Sequence, residues 1–126
     1  MEAILIPLLE ENKQQFKWNM QKAFQQGASN EFGEITEEIL PEKDIDNSLA
    51  AEGAAVYEAI VNEQSVGGVI VVIDKVKQHN HLDFLFVKTG IQSRGAGQAI
   101  WHAVEEKYPE TKVWETCTPG GVRIMV

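Results

Sequence analysis

Residues 82–108 read LDFLFVKTGIQSRGAGQAIWHAVEEKY, and the order of features in this stretch decides the fold. Residues 82–87 are an apolar run with the length and composition of a buried strand. A polar, glycine-bearing turn follows over 88–97. Ala96, Ala99, Ile100, Ala103 and Val104 then recur at helical spacing. Strand, glycine-rich turn and helix in succession leave unpaired backbone N–H groups at the helix start. Aligned peptide dipoles add partial positive charge there. A phosphate is the natural occupant of such a place.

Which phosphate ligand depends on the loop. A Walker loop requires G-x-x-x-x-G-K-[ST], and the chain has no such string. A Rossmann fingerprint is nearer, because Gly95-Ala96-Gly97 opens a helix and Glu115 follows about 20 residues later. Ile100 stands where its third glycine or alanine belongs, however, and the preceding strands read as hairpin-connected. Gln92, Gly95 and Gly97 instead spell Q-x-x-G-x-G, with Val87 five positions before Gln92.

That spacing resembles the acyl-CoA pyrophosphate loop of the GNAT family of N-acetyltransferases. The resemblance implies that Gln92, Ser93, Arg94, Gly95, Ala96, Gly97 and Gln98 hold the pyrophosphate of acetyl-CoA, largely through backbone amides. Gly95 and Gly97 lack Cβ atoms where the backbone has to come close to the ligand. It also implies that Phe86 and Val87 contact the pantetheine arm, where the central strand splays from its neighbour. Read from the residues alone, these two are buried strand positions.

The 126 residues suffice for one domain, spanning 1–126. A hydrophobic share of 44% is ordinary for a globular chain. No apolar stretch nears the roughly 20 residues of a membrane span, and no basic region precedes the apolar run in MEAILIPLLEEN. Cys117 is the single cysteine, so no internal disulfide forms and a reducing compartment is expected. A cytoplasmic protein without membrane contact is therefore predicted. A net charge of -8, with 11 scattered Lys and Arg, argues against a nucleic-acid partner.

Taken in order, residues 3–9 predict a short strand that Pro7 demotes to an edge or bulge. Residues 10–26 predict a helix with Phe16, Met20, Ala23 and Phe24 on one stripe, stopped by Gly27. Trp18 falls off that stripe; partial core burial is its expected place, and the wall of a ligand cleft the alternative. A second short helix is expected from Thr36 into Ala51. Glu31, Glu34, Glu37, Glu38, Glu42, Asp44 and Asp46 gather around it, reading first as a solvated face and second as a surface toward a cationic amine. Residues 54–61 and 66–73 predict a hairpin around Asn62-Glu63-Gln64-Ser65, with a bulge or close backbone approach at Gly67-Gly68. Residues 111–116 predict a strand parallel to 82–87, the intervening helix being the crossover. The fold class is α/β (α+β): a mixed, mostly antiparallel sheet of the acyl-CoA N-acyltransferase kind, flanked by helices.

The resemblance implies acetyl transfer from acetyl-CoA to the amine of a small, cationic or peptide acceptor. Such a reaction needs a base for the amine, a polarised thioester carbonyl and a proton for the leaving thiolate. A backbone N–H near Val87 can polarise the carbonyl. Candidate bases are His81 and Asp83, which share a strand face by alternation, and Glu115 on the neighbouring strand. His79 and His81 have no third ligand at a metal-site spacing, so no metal is expected. Cys117 has no base near it in sequence and reads as inert.

One departure from the family concerns the C-terminal part. Family members continue past residue 119 with a helix and two strands, and that helix often carries a tyrosine that protonates the thiolate. Here Gly120 and Gly121 lead into a short apolar run, and Tyr57 and Tyr108 match neither the position nor the role. A catalytically weak CoA-binding module is the alternative reading. The departure also predicts an open edge on the 112–116 strand, covered either by residues 122–126 folding back or, as favoured here, by a second copy in a homodimer.

Overall fold

In the computed structural model, residues 2–32, 40–91, 95–118 and 121–125 are described. The apolar segments become six strands: β1 Ile4–Pro7, β2 Ala54–Val61, β3 Gln64–Val72, β4 His79–Val87, β5 Val113–Thr118 and β6 Gly121–Met125. They form one sheet in sequence order, β1-β2-β3-β4-β5-β6. Neighbours pair antiparallel except β4 and β5, which run parallel. The β2–β3 hairpin is tighter than expected. Asn62 and Glu63 alone turn the chain, at φ 51 and 66, the left-handed pair a two-residue hairpin demands.

Three helices cover the sheet: α1 Lys13–Phe32, α2 Glu42–Leu49 and α3 Ala96–Lys107. Phe16 and Met20 of α1 and Ile45 of α2 bury with Ile70 and Phe86 on one face. Ala99, Ile100 and Val104 of α3 bury with Val69, Val71 and Trp114 on the other. Gly67 and Gly68 are where the chain cannot tolerate side chains. A Cβ on Gly67 would lie 2.0 Å from the Phe86 carbonyl oxygen, and one on Gly68 would lie 2.4 Å from the Phe16 ring. The missing Cβ of Gly68 thus lets α1 settle onto the sheet, and that of Gly67 lets the β4 backbone come close. The ladder also shifts here, from Ala59↔Gly67 to Ile60↔Ser65, which is the expected bulge.

Four expectations are corrected. Helix α1 runs through Gly27 to Phe32, because a glycine inside a helix costs only about 1 kcal/mol and stops nothing by itself. Helix α2 starts at Glu42, after Pro41 in an extended conformation at φ -64, ψ 145. Leu40 precedes that proline, which disfavours helical backbone; residues 36–39 of the expected helix lie outside the described residues. Trp18 is 52% exposed rather than partly buried, with Lys22 Nζ 4.8 Å from its ring centroid. The edge of β5 is closed within the chain, since β6 pairs along it from Trp114↔Met125 to Thr118↔Gly121. Trp114 is buried at 5% exposure, its ring edge-on to Trp101 at 5.2 Å. No second copy is needed to cover that strand.

The acidic cluster has a structural use. Lys17 on α1, only 8% exposed, reaches Glu42 at 2.6 Å and Asp46 at 2.8 Å. These two carboxylates dock α2 on α1. Asp44 is exposed, and Glu34, Glu37 and Glu38 lie outside the described residues. Among the described residues no helix is long and apolar enough to cross a membrane.

Candidate active site

The parallel pairing of β4 with β5 runs only from His79↔Val113 to Leu82↔Thr116. Strand β4 continues to Val87 while β5 turns to its partnership with β6. On its other side β4 stays bound to β3. Lys88 N–H donates to the Val66 carbonyl at 2.8 Å, and the ladder brings Gly68 opposite Phe86 and Ile70 opposite Phe84. By antiparallel alternation, Leu85 and Val87 turn their N–H and C=O groups away from β3, into the opening beside β5. The side chains of Leu85 and Val87 pack on the α3 side. Phe86 does neither: its ring, 3% exposed, is edge-on to Phe16 at 5.2 Å beneath α1. Of the two expected pantetheine contacts, Val87 faces the opening and Phe86 serves the core.

The opening leads to the start of α3. Gly95 caps the helix at φ 90, ψ 0 and, having no side chain, makes no side-chain cap bond. Ala99 N–H already reaches the Gly95 carbonyl at 2.8 Å. The amides of Ala96, Gly97 and Gln98 precede that first helical bond and so lack intrahelical partners. Ala96 has its methyl in the core, whereas Gly95 and Gln98 are exposed. Gln92, Ser93 and Arg94 lie outside the described residues.

The three candidate bases are brought together at the other end of β4. The β3–β4 register steps from Ile70↔Phe84 to Val71↔Leu82, leaving Asp83 as an extra, bulged residue. Asp83 and Phe84 therefore project to the same side, toward α2 and α1. His81 Nδ1 meets Asp83 Oδ1 at 2.5 Å. Glu115 stands level with His81 across the ladder, yet its carboxylate pairs with His79 Nε2 at 2.8 Å. The two histidines thus take separate carboxylates. Both also line a cleft of about 1030 Å³ at this end of the sheet, together with Glu52, Asp74, Lys75 and Tyr108. The backbone N–H of Lys77, then that of Val76, hold the Asp74 carboxyl below its ordinary value.

The sequence model of the acetyltransferase (GNAT) domain matches residues 12–117. The chain belongs to the GNAT family. A sequence relative of this GNAT domain, the protein YrkN of Bacillus subtilis, is 35% identical over 111 residues, or 87% of this chain. The match covers 60% of YrkN, so the chain spans well under two-thirds of that relative's length. The putative acetyltransferase YycN of the same organism superposes with a TM-score of 0.68 at 12% identity, covering 92% of this chain and 81% of YycN. A GNAT family acetyltransferase from Elizabethkingia anophelis, solved with acetyl-CoA bound, gives a TM-score of 0.63 at 13% identity, over 93% of this chain and 65% of its own. At such identities the two structures establish the fold.

Two residues of this candidate site are not visible in sequence. Leu85 shares the free edge with Val87, because the phase of the ladder, set by Lys88, gives alternate residues the same direction. Ser48 of α2 donates its Oγ–H to Asp83 Oδ2 at 2.5 Å. A serine near a helix end carries no local signal of such a role. The tyrosines are accounted for as well. The Tyr57 and Tyr108 hydroxyls bond each other at 2.6 Å.

Proposed function

We propose that the chain transfers the acetyl group of acetyl-CoA to an amine. The observation that carries this reading is one continuous feature. The edge of β4 beyond its pairing with β5, with Leu85 and Val87 presenting backbone groups, ends beside the first turn of α3. Such a path suits an anion at the helix start and an amide-bearing arm along the strand. The Elizabethkingia relative, which binds acetyl-CoA on the same fold, supports it.

Acetyl-CoA supplies an activated thioester. The amides of Ala96, Gly97 and Gln98, with Gln92, Ser93 and Arg94 by family resemblance, hold the pyrophosphate; Val87 and Leu85 hold the arm. Val87 is six positions from His81 on β4, about 20 Å at strand rise. Leu85 is nearer, about 13 Å, so its N–H is the better placed of the two to polarise a carbonyl within reach of a base. His81 takes the proton of the amine as the amine nitrogen bonds the acetyl carbon and the carbon–sulfur bond breaks, releasing CoA as its thiolate, which takes a proton from water. Oriented by Asp83, the His81 ring holds the amine proton.

The acceptor reading follows from the cleft beside His81. Its size is at the upper end for small-molecule sites. Glu52 and Asp74 set two carboxylates on its wall against one lysine, Lys75. This charge favours a small cationic amine. Calorimetric titration with CoA, followed by transfer assays over polyamines, aminoglycosides and amino-acid amines, tests both parts. No CoA binding overturns the whole reading. Binding without turnover on any amine makes the chain a CoA-binding module.

A further inference from the structure

The carboxylate of Asp83 is gripped from both sides. Its Oδ1 faces His81 Nδ1 and its Oδ2 accepts from Ser48 Oγ, each at 2.5 Å. We propose that Ser48 is a positioning residue: it fixes Asp83 so that His81 keeps its Nδ1 protonated and turns Nε2 to the acceptor amine. This rests on the reading of His81 as the base.

An ionised carboxylate only accepts hydrogen bonds, so a neutral His81 facing Asp83 must carry its proton on Nδ1. The basic lone pair then sits on Nε2. One contact does not hold this arrangement, because the terminal torsion of an aspartate is broad and roughly two-fold. A second bond to the other oxygen removes that freedom. Ser48 can supply it rigidly, being 7% exposed, while the side chains of Asp83 and His81 are 20% and 30% exposed. Burial therefore decreases from the anchor to the working group.

The anchor is itself held. Ile45, three residues before Ser48 on α2, is fully buried, and Lys17 clamps the start of the helix through Glu42 and Asp46. Two other carboxylates at this end of the sheet have partners of their own: Glu115 with His79, and Asp74 with the backbone amides of Val76 and Lys77. Asp83 is the carboxylate that meets Nδ1.

The test is nitrogen-detected NMR of the imidazole rings in the full chain at mildly alkaline pH, with His81→Gln identifying the resonance. The native chain is expected to show His81 as the Nδ1–H tautomer. Ser48→Ala should shift it toward a tautomer mixture while α2 amide signals stay in place, and Ser48→Thr should restore it. If alanine disturbs α2, Ser48→Cys keeps the volume with a weaker donor and should give the same shift in smaller measure. An Nε2–H tautomer in the native chain, or a resonance unmoved by Ser48→Ala and Ser48→Cys, overturns the proposal. On an amine that turns over, Ser48→Ala should lower kcat about tenfold or more with the KM for acetyl-CoA unchanged. His81→Gln with full transfer activity would instead sink the reading of His81 as base, whatever the tautomer.

Discussion

A Cβ placed on Gly97 would stop 3.9 Å from Cγ2 of Val87, an ordinary contact. The described residues therefore leave room for a side chain at the start of α3. Gly95 differs, since its φ of 90 strains any L-residue. Gly97→Ala should leave thermal stability equal or higher by up to about 1 kcal/mol, yet weaken CoA binding about tenfold or more. Gly95→Ala should lose about 1–2 kcal/mol of stability through backbone strain alone. Melting curves and calorimetry separate the two. Unaltered CoA affinity in Gly97→Ala would mean that the pyrophosphate does not approach there.

Gly68 makes a sharper packing prediction. A methyl there would press on Phe16 Cε2 at 2.4 Å and Phe86 Cε1 at 2.9 Å. Gly68→Ala should cost about 1–3 kcal/mol by overpacking. Phe16→Leu in the same chain should recover part of it, because contacting residues couple. Urea denaturation of the two singles and the double mutant checks this; strict additivity would contradict the contact.

The Lys17 clamp predicts an acid-sensitive α2. Hydrogen bonding to Asp46, then to Glu42, raises the Lys17 ammonium above its ordinary value. Lys17 in turn holds the Glu42 carboxyl below 4.5. A lowered folded value means that this stabilisation is present above 4.5 and lost as pH falls through the lower folded value. Amide exchange in residues 42–49 should accelerate on that descent before the sheet opens, and Lys17→Met should abolish the step. Equal acid sensitivity in Lys17→Met would show that α2 is held by apolar contacts alone.

Tyr108 sets the alkaline limit. Burial, then the bond to Tyr57, pushes its phenol well above 10.0. Folding stability is then intact below 10.0 and drains away as pH rises from there through the raised value, because the unfolded chain ionises first. Tyr57→Phe should remove one hydrogen bond, about 1 kcal/mol, and allow phenolate absorbance to appear at lower pH. An absorbance titration of native and variant chains decides it.

Much of this was legible in order along the chain. The run 82–87 and the spacing of Ala99, Ile100 and Val104 indicated the central strand and the helix, and both sit as expected. The stripe of Phe16 and Met20 is buried as its period required. Misreadings came where a local sign had more than one outcome. Gly27 resembled a stop but continues a helix; Trp18 resembled a core residue but lies outside.

Sequence by itself determined the elements, their order and the family, because apolar period and glycine placement are local properties that a few neighbouring residues settle. Tertiary structure decided which groups meet. Asp83 is the bulged residue only because β3 and β4 pair out of step, and that slip turns both Asp83 and Phe84 to one face. Its hydroxyl partner comes from Ser48, 35 residues away, carried there by a helix that Lys17 fastens to α1. Glu115 was level with His81 all along but is taken by His79. Strand register and helix docking minimise free energy over the whole chain, so no short stretch of residues contains those choices.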